Sequence, residues 1–273
     1  MKIPKFIKKP AVIACCLVFC FPLNSAGSNY DAIPWEGIEA YMAGRGEEAV
    51  EIIVPVAEAG NGEAQHLLGT IYSDGTAMAP DYEKAAPWFR KAANSGSAEA
   101  AYNLGFLYEN GMGVEKSEQA AFRWFLKGAK SGHPIAQFRM ALRILPEIDA
   151  KDSSGRDWLV KSAENGLSDA QQLLGRLLLH GSSGFKKDES RSAIWFERAA
   201  EQGDPKAAEL LGTMFAAGVG VPEDYVLAFK WLNLAKAKGV NTGDVLSALK
   251  QRMTQDQVAE GQRLSREFSS EPE

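Results

Sequence analysis

The stretch Ala100-Ala-Tyr-Asn-Leu-Gly105-Phe-Leu-Tyr108-Glu-Asn-Gly111-Met-Gly113-Val-Glu-Lys-Ser-Glu-Gln-Ala-Ala121-Phe-Arg-Trp124-Phe-Leu-Lys-Gly-Ala129-Lys-Ser-Gly132 decides the fold, because its landmarks recur along the chain. The Leu-Gly motif returns in Ala64-Gln-His-Leu-Leu-Gly69, Ala170-Gln-Gln-Leu-Leu-Gly175 and Ala207-Ala-Glu-Leu-Leu-Gly212, with a weaker copy, Ala136-Gln-Phe-Arg-Met-Ala141. Each copy is followed by a tryptophan (Trp88, Trp124, Trp158, Trp195, Trp231) and then a glycine (Gly96, Gly132, Gly166, Gly203, Gly239). Successive terminating glycines are 34 to 37 residues apart. A fixed period of this length is the mark of a repeat architecture and overrides any count of compact domains from the 273-residue length.

Each period predicts two helices. Ala64, Leu67, Leu68, Ile71 and Tyr72 fall on one stripe of a first helix, and Ala85, Trp88, Phe89, Ala92 and Ala93 on one stripe of a second. The glycine inside the first helix lowers helix propensity but admits a close neighbour, and the tryptophan is expected to fill the core. Gly111, Gly113, Gly218 and Gly220 supply the turn between helices. The first copy lacks the second turn glycine, and Pro87 predicts a kink in its second helix or a start near that residue. The third copy departs most, with Ala141 for glycine, a long turn from Pro146 to Gly155, and Arg139 and Arg143 at apolar positions.

This pattern resembles the Sel1-like repeat, a relative of the tetratricopeptide repeat, in its exported bacterial form. The resemblance implies an all-α, right-handed solenoid of helix-turn-helix units. It predicts five repeats over 63–240 (63–98, 99–134, 135–168, 169–205, 206–240), a degenerate helical pair over 30–62, capping helices over 241–268 and a disordered tail over 269–273. Thr254 and Gln257 have the spacing of a capping box, and Val258, Leu264 and Phe268 predict one buried face on the closing helix.

The start of the chain reads as an address. Lys2, Lys5, Lys8 and Lys9 precede an apolar run from Ala11 to Leu23 and the small residues Ser25-Ala-Gly-Ser28, the order of a secretory leader, here assigned to 1–27. The run is too short for a ~30 Å hydrocarbon core, so no membrane insertion is expected after leader removal. The leader holds all three cysteines, Cys15, Cys16 and Cys20, and four lysines of a chain with net charge −5, so the remainder has no thiol and a charge of −9. Disulfides are therefore excluded from the mature chain, and an acidic body is a poor phosphate binder, which argues against nucleic acid. The expected location is periplasmic or secreted.

Catalytic signatures are missing. The chain has no Gly-x-Ser-x-Gly, His-Glu-x-x-His or phosphate-binding glycine loop, and after leader removal no cysteine nucleophile. His66 and His180 read as surface residues, His133 as structural, and Glu99 and Glu109 as a solvated edge. The expectation is a non-enzyme without metal or cofactor.

What remains is a surface. Residues opposite the apolar stripe of the first helices are expected to line a concave groove: His66 and Thr70; Tyr102, Phe106 and Glu109; Phe138 and Leu142; Gln172, Arg176 and Leu179; Glu209 and Thr213. Tyr102, Phe106, Phe138 and Leu142 make its apolar part, suited to a peptide or partner helix or, equally, to packing between repeats. The resemblance implies a monomeric interaction scaffold or regulator with a protein or peptide partner, such as an envelope sensor or assembly factor. It also admits a cell-wall enzyme or a carbohydrate- or β-lactam-binding protein, although that branch is disulfide-rich, and a secreted factor acting on a host.

Overall fold

The computed structural model of the protein describes residues 32–145 and 153–270. The leader, most of the long turn of the third copy and residues 271–273 lie outside the described residues. Among the described residues all regular structure is helical, and no helix is long and apolar enough to cross a membrane. The chain divides into two compact units, residues 1–95 and 96–273.

The first unit holds α1 (Trp35–Met42), α2 (Gly46–Glu58), α3 (Gly62–Ser73) and α4 (Tyr82–Asn94). Its core joins Ile38 of α1 and Ile53 of α2 to Leu67, Leu68 and Ile71 of α3, the last three spaced to share one helix face. The turn after α3 folds back on the start of the unit, where Gly46 N–H donates to Ala77 O at 3.2 Å and Tyr41 hydrogen-bonds Asp74. Helix α4 begins at Tyr82, capped by Asp81, and runs through Pro87 instead of starting there. The proline is exposed and six residues into the helix.

The second unit holds α5 (Ala98–Asn110), α6 (Glu118–Lys130), α7 (Pro134–Ile144), α8 (Ser154–Glu164), α9 (Ser168–His180), α10 (Glu189–Glu201), α11 (Pro205–Ala217), α12 (Tyr225–Ala237), α13 (Gly243–Arg252) and α14 (Gln255–Ser270). Successive helices pair as hairpins. Polar side chains open most of them: Ser97, Ser117, His133, Asp188, Asp204 and Asp224 each accept an N–H from the first turn. Such a cap contributes about 1 kcal/mol. The second helix of each hairpin ends at its terminating glycine, all five of which have positive φ, from 85° at Gly203 to 104° at Gly96.

The tight contact inside a hairpin differs from the tryptophan expectation. A Cβ on Gly105 would meet the Phe125 ring at 2.7 Å, one on Gly69 the Phe89 ring at 2.5 Å, and one on Gly175 the Phe196 ring at 2.8 Å. The core position is therefore the residue after each tryptophan. Trp88, Trp124 and Trp158 are only half-buried, whereas Trp195 and Trp231 are buried. Lys91, Lys127, Lys161 and Arg198, each three residues on from its tryptophan, place their cations 4.0 to 5.1 Å from the indole centroids. The i, i+3 spacing on one helix face brings each pair together. In the third hairpin Ala141 stands for the glycine and Leu159 for the phenylalanine, so a smaller side chain faces the extra methyl.

The chain closes with α14 packed on α12. Phe268 meets Trp231 edge-on at 5.5 Å, and Gly261 lies against the Phe229 ring. Both arms of the expected capping box form: Gln257 N–H donates to Thr254 Oγ1 at 3.2 Å, and Thr254 N–H to Gln257 Oε1 at 2.9 Å. The helix continues to Ser270, so residues 269 and 270 are helical and not part of a disordered tail.

Candidate interaction surface

The first helices present equivalent positions, so exposure separates displayed residues from packing. In the first unit His66 is 6% exposed and lies 5.9 Å from the Phe89 ring. It is an interior residue, contrary to its expected place at a groove. Thr70 is half-buried and turns its Oγ1 to His66 O at 3.1 Å, a bond within its own helix.

In the second unit Tyr102 also packs inward. Its ring stacks on His133 at 4.5 Å and 11°, and lies 5.8 Å from Phe125. His133 is 6% exposed and works with both nitrogens: Nδ1 accepts Ala136 N–H at 3.1 Å, and Nε2 lies 2.6 Å from Glu99 Oε2. With Nδ1 accepting, the ring proton sits on Nε2 and is donated to the carboxylate. Glu109 accepts from Arg139 Nη1 at 2.6 Å. Both glutamates thus bridge α5 to α7 and do not form a merely solvated edge.

The two arginines at apolar positions of α7 find aromatic rings. Arg139 lies 5.1 Å from the Phe125 centroid and 5.9 Å from that of Tyr102, while Arg143 lies 5.2 Å from Phe122. A planar guanidinium can cover a ring and still bind a carboxylate, which is why these positions tolerate the charge. Between α6 and α7 is a cleft of about 660 Å³ whose apolar walls include Phe122, Phe125, Ile135, Phe138 and Leu142.

Three large apolar residues are displayed on these first helices: Phe106 on α5 (38% exposed), and Ile135 and Leu142 on α7 (39% and 46%). Phe106 and Leu142 occupy the same repeat position, directly after Gly105 and Ala141. Ile135 lies two turns before Leu142 on the same helix face; it was missed in the sequence, where only the i−4 residue, Phe138, was placed there. Phe138 is half-buried against the cluster of Ala141 and Leu159. On α9 the same position holds exposed Arg176, with half-buried Gln172 one turn earlier. Leu179 packs into the core of Ala193 and Phe196. On α11 Glu209 and Thr213 are half-buried, and Thr213 Oγ1 donates to Leu210 O at 2.7 Å. Among the described residues no group of His, Cys, Asp and Glu is placed to hold a metal.

The repeat geometry has a counterpart in known proteins. The Sel1 repeat pattern matches residues 62–97, 98–133, 168–204 and 205–240, together more than half of the chain. The chain belongs to the Sel1 repeat family. The unmatched interval, 134–167, is the α7–α8 hairpin with Ala141, Arg139 and Arg143. Sel1 repeat proteins generally bind protein partners.

Two solved structures share both fold and sequence. A protective antigen of uropathogenic Escherichia coli strains is 32% identical, with a TM-score of 0.68 over 84% of this chain and 51% of its own. A Sel1 repeat protein from Oxalobacter formigenes is 31% identical, with a TM-score of 0.69 over 84% of this chain and 67% of its own. The chain thus spans about half the length of the antigen. A curated relative, the ERAD-associated E3 ubiquitin-protein ligase component HRD3A of Arabidopsis thaliana, is 33% identical over 58 residues, which are 21% of this chain and 9% of that protein.

Proposed function

We propose that the chain is a non-catalytic interaction scaffold or regulator of the bacterial cell envelope that binds a protein or peptide partner on its first helices. The observation that carries this reading is the display of Phe106, Ile135 and Leu142 at corresponding faces of neighbouring first helices. Burial of a large side chain contributes about 1.5–3 kcal/mol, so a cluster left in water is an unused docking contribution. Membership of a family that generally binds proteins supports it. The envelope location rests on the leader-like segment 1–27.

A photo-crosslinking amino acid at position 106 or 142, in living cells, tests the reading. A specific adduct from both positions, and none from Glu197 on α10, is the expected result. Adducts from neither position would overturn it. Mass spectrometry of the envelope fraction should find a chain that begins shortly after Gly27; a full-length chain confined to the cytoplasm would reject export.

A further inference from the structure

The charge beside the apolar display narrows the class of partner, and this step rests on the reading just given. Phe106, Leu142 and Arg176 hold one repeat position on α5, α7 and α9, so the row passes from two exposed apolar side chains to one exposed cation. Among the described residues no carboxylate lies within 4 Å of Arg176. Its neighbour in the third hairpin is different: Arg139 is already held by Glu109 at 2.6 Å and covers the Phe125 ring. Arg143, exposed beside Leu142, has no carboxylate but lies 5.2 Å from the Phe122 ring, so among the described arginines of α7 and α9 Arg176, at the end of the apolar row, is the one with neither a carboxylate nor a ring partner. Two turns before it, α9 carries exposed Asp169, beside the level of Ile135 on α7. The two ends of α9 thus offer opposite charges, which gives a peptide bearing a carboxylate a preferred direction.

We propose that this face takes a peptide with an apolar anchor for Phe106, Ile135 and Leu142 and, one helix spacing further along, a carboxylate for Arg176. Helices α7 and α9 both pack on α8, and a helix with its side chains is about 10–12 Å across, so the step from Leu142 to Arg176 is on the order of 10 Å. A polyproline-type peptide advances about 3.1 Å per residue and repeats its face every third residue, so apolar-x-x-acid is the matching spacing. An arginine fork takes a carboxylate in two parallel hydrogen bonds, which supplies orientation as well as affinity.

The test uses the full chain and an array of synthetic peptides with Leu or Phe followed three residues later by Asp or Glu, against the same peptides carrying Lys, or with Ser for the apolar anchor. The expected result is selection of the apolar-x-x-acid set. Arg176→Glu should weaken those peptides at least about tenfold and favour the Lys set, while Leu142→Ser should weaken both sets. Both side chains are exposed, and circular dichroism of each variant confirms that it folds. Binders on this face without preference for the acid, or unaffected by Arg176→Glu, would overturn the inference and leave the docking reading intact. Binders indifferent to Leu142→Ser as well, or no binder at all, would overturn both.

Discussion

His133 joins two neighbouring hairpins by capping α7 through Nδ1 while its Nε2 proton is held by Glu99 of α5 at 2.6 Å. A residue that reads as a turn histidine before Pro134 is thus a bridge between first helices. Its replacement by Ala should destabilise the second unit by about 1–3 kcal/mol, from a lost cap and the loss of the hydrogen bond to the half-buried Glu99 carboxylate. His133→Asn restores the cap alone and should recover part of that loss. Denaturant unfolding of both variants checks this; equal stability of the Ala variant and the parent would show that the bridge contributes nothing.

Gly105 and Phe125 test the packing rule of the hairpin. A Cβ at Gly105 would approach the Phe125 ring to 2.7 Å, so Gly105→Ala should cost about 1–3 kcal/mol by overpacking. Adding Phe125→Leu copies the Ala141 and Leu159 pairing of the third hairpin, and the double variant should be more stable than the sum of the two single losses. Strict additivity in a double-mutant cycle would rule out this coupling.

Gln65 carries the one buried side-chain polar atom without a hydrogen bond among the described residues, Oε1. Its counterparts are satisfied: Gln137 Oε1 accepts from Asn165 at 2.9 Å, and Gln171 Oε1 from Gln202 at 2.7 Å. The equivalent donor position in the first unit is Ser95, whose hydroxyl turns to Lys91 O. Ser95→Asn should supply the missing donor and raise stability by about 0.5–1.5 kcal/mol. A fall in melting temperature would contradict the assignment.

The closing helix should respond to acid. Hydrogen bonds from Arg263 hold the Glu260 carboxyl below its usual value. A depressed folded value stabilises the fold above the unfolded carboxylate range, about 4.3, and that contribution disappears as pH falls through the folded value. Glu260→Gln should therefore melt lower than the parent at neutral pH, with the gap narrowing on acidification. Because both partners are solvent-exposed, the gap should be small and shrink in high salt. A gap that grows below the carboxylate range would reverse this sign.

Much of the fold was legible because it is a local and repeated event. Leu-Gly, tryptophan and terminating glycine mark helix, helix and turn within one period, and each period repeats the signal. Legibility failed where two helices meet. The tryptophans dominate the written pattern, but the adjacent Phe89, Phe125 and Phe196 enter the core, because a helix turns by about 100° per residue and the neighbouring position faces inward. The surface was half legible. Helical phase placed Phe106, Leu142 and Arg176 outward, but the same phase placed His66 and Tyr102 there, and packing buries or half-buries them.

By itself the sequence determined the repeat, its period, its helical hairpins and the lack of familiar catalytic motifs, since these follow from the order of residues along a few turns of chain. Tertiary structure alone decided which side chains are displayed: that His133 donates to Glu99 and Arg139 to Glu109 between hairpins, while Phe106, Ile135, Leu142 and Arg176 face outward. Exposure and ion pairing depend on what the adjoining helix brings to within a few ångströms, and that neighbour lies a whole period away in the chain.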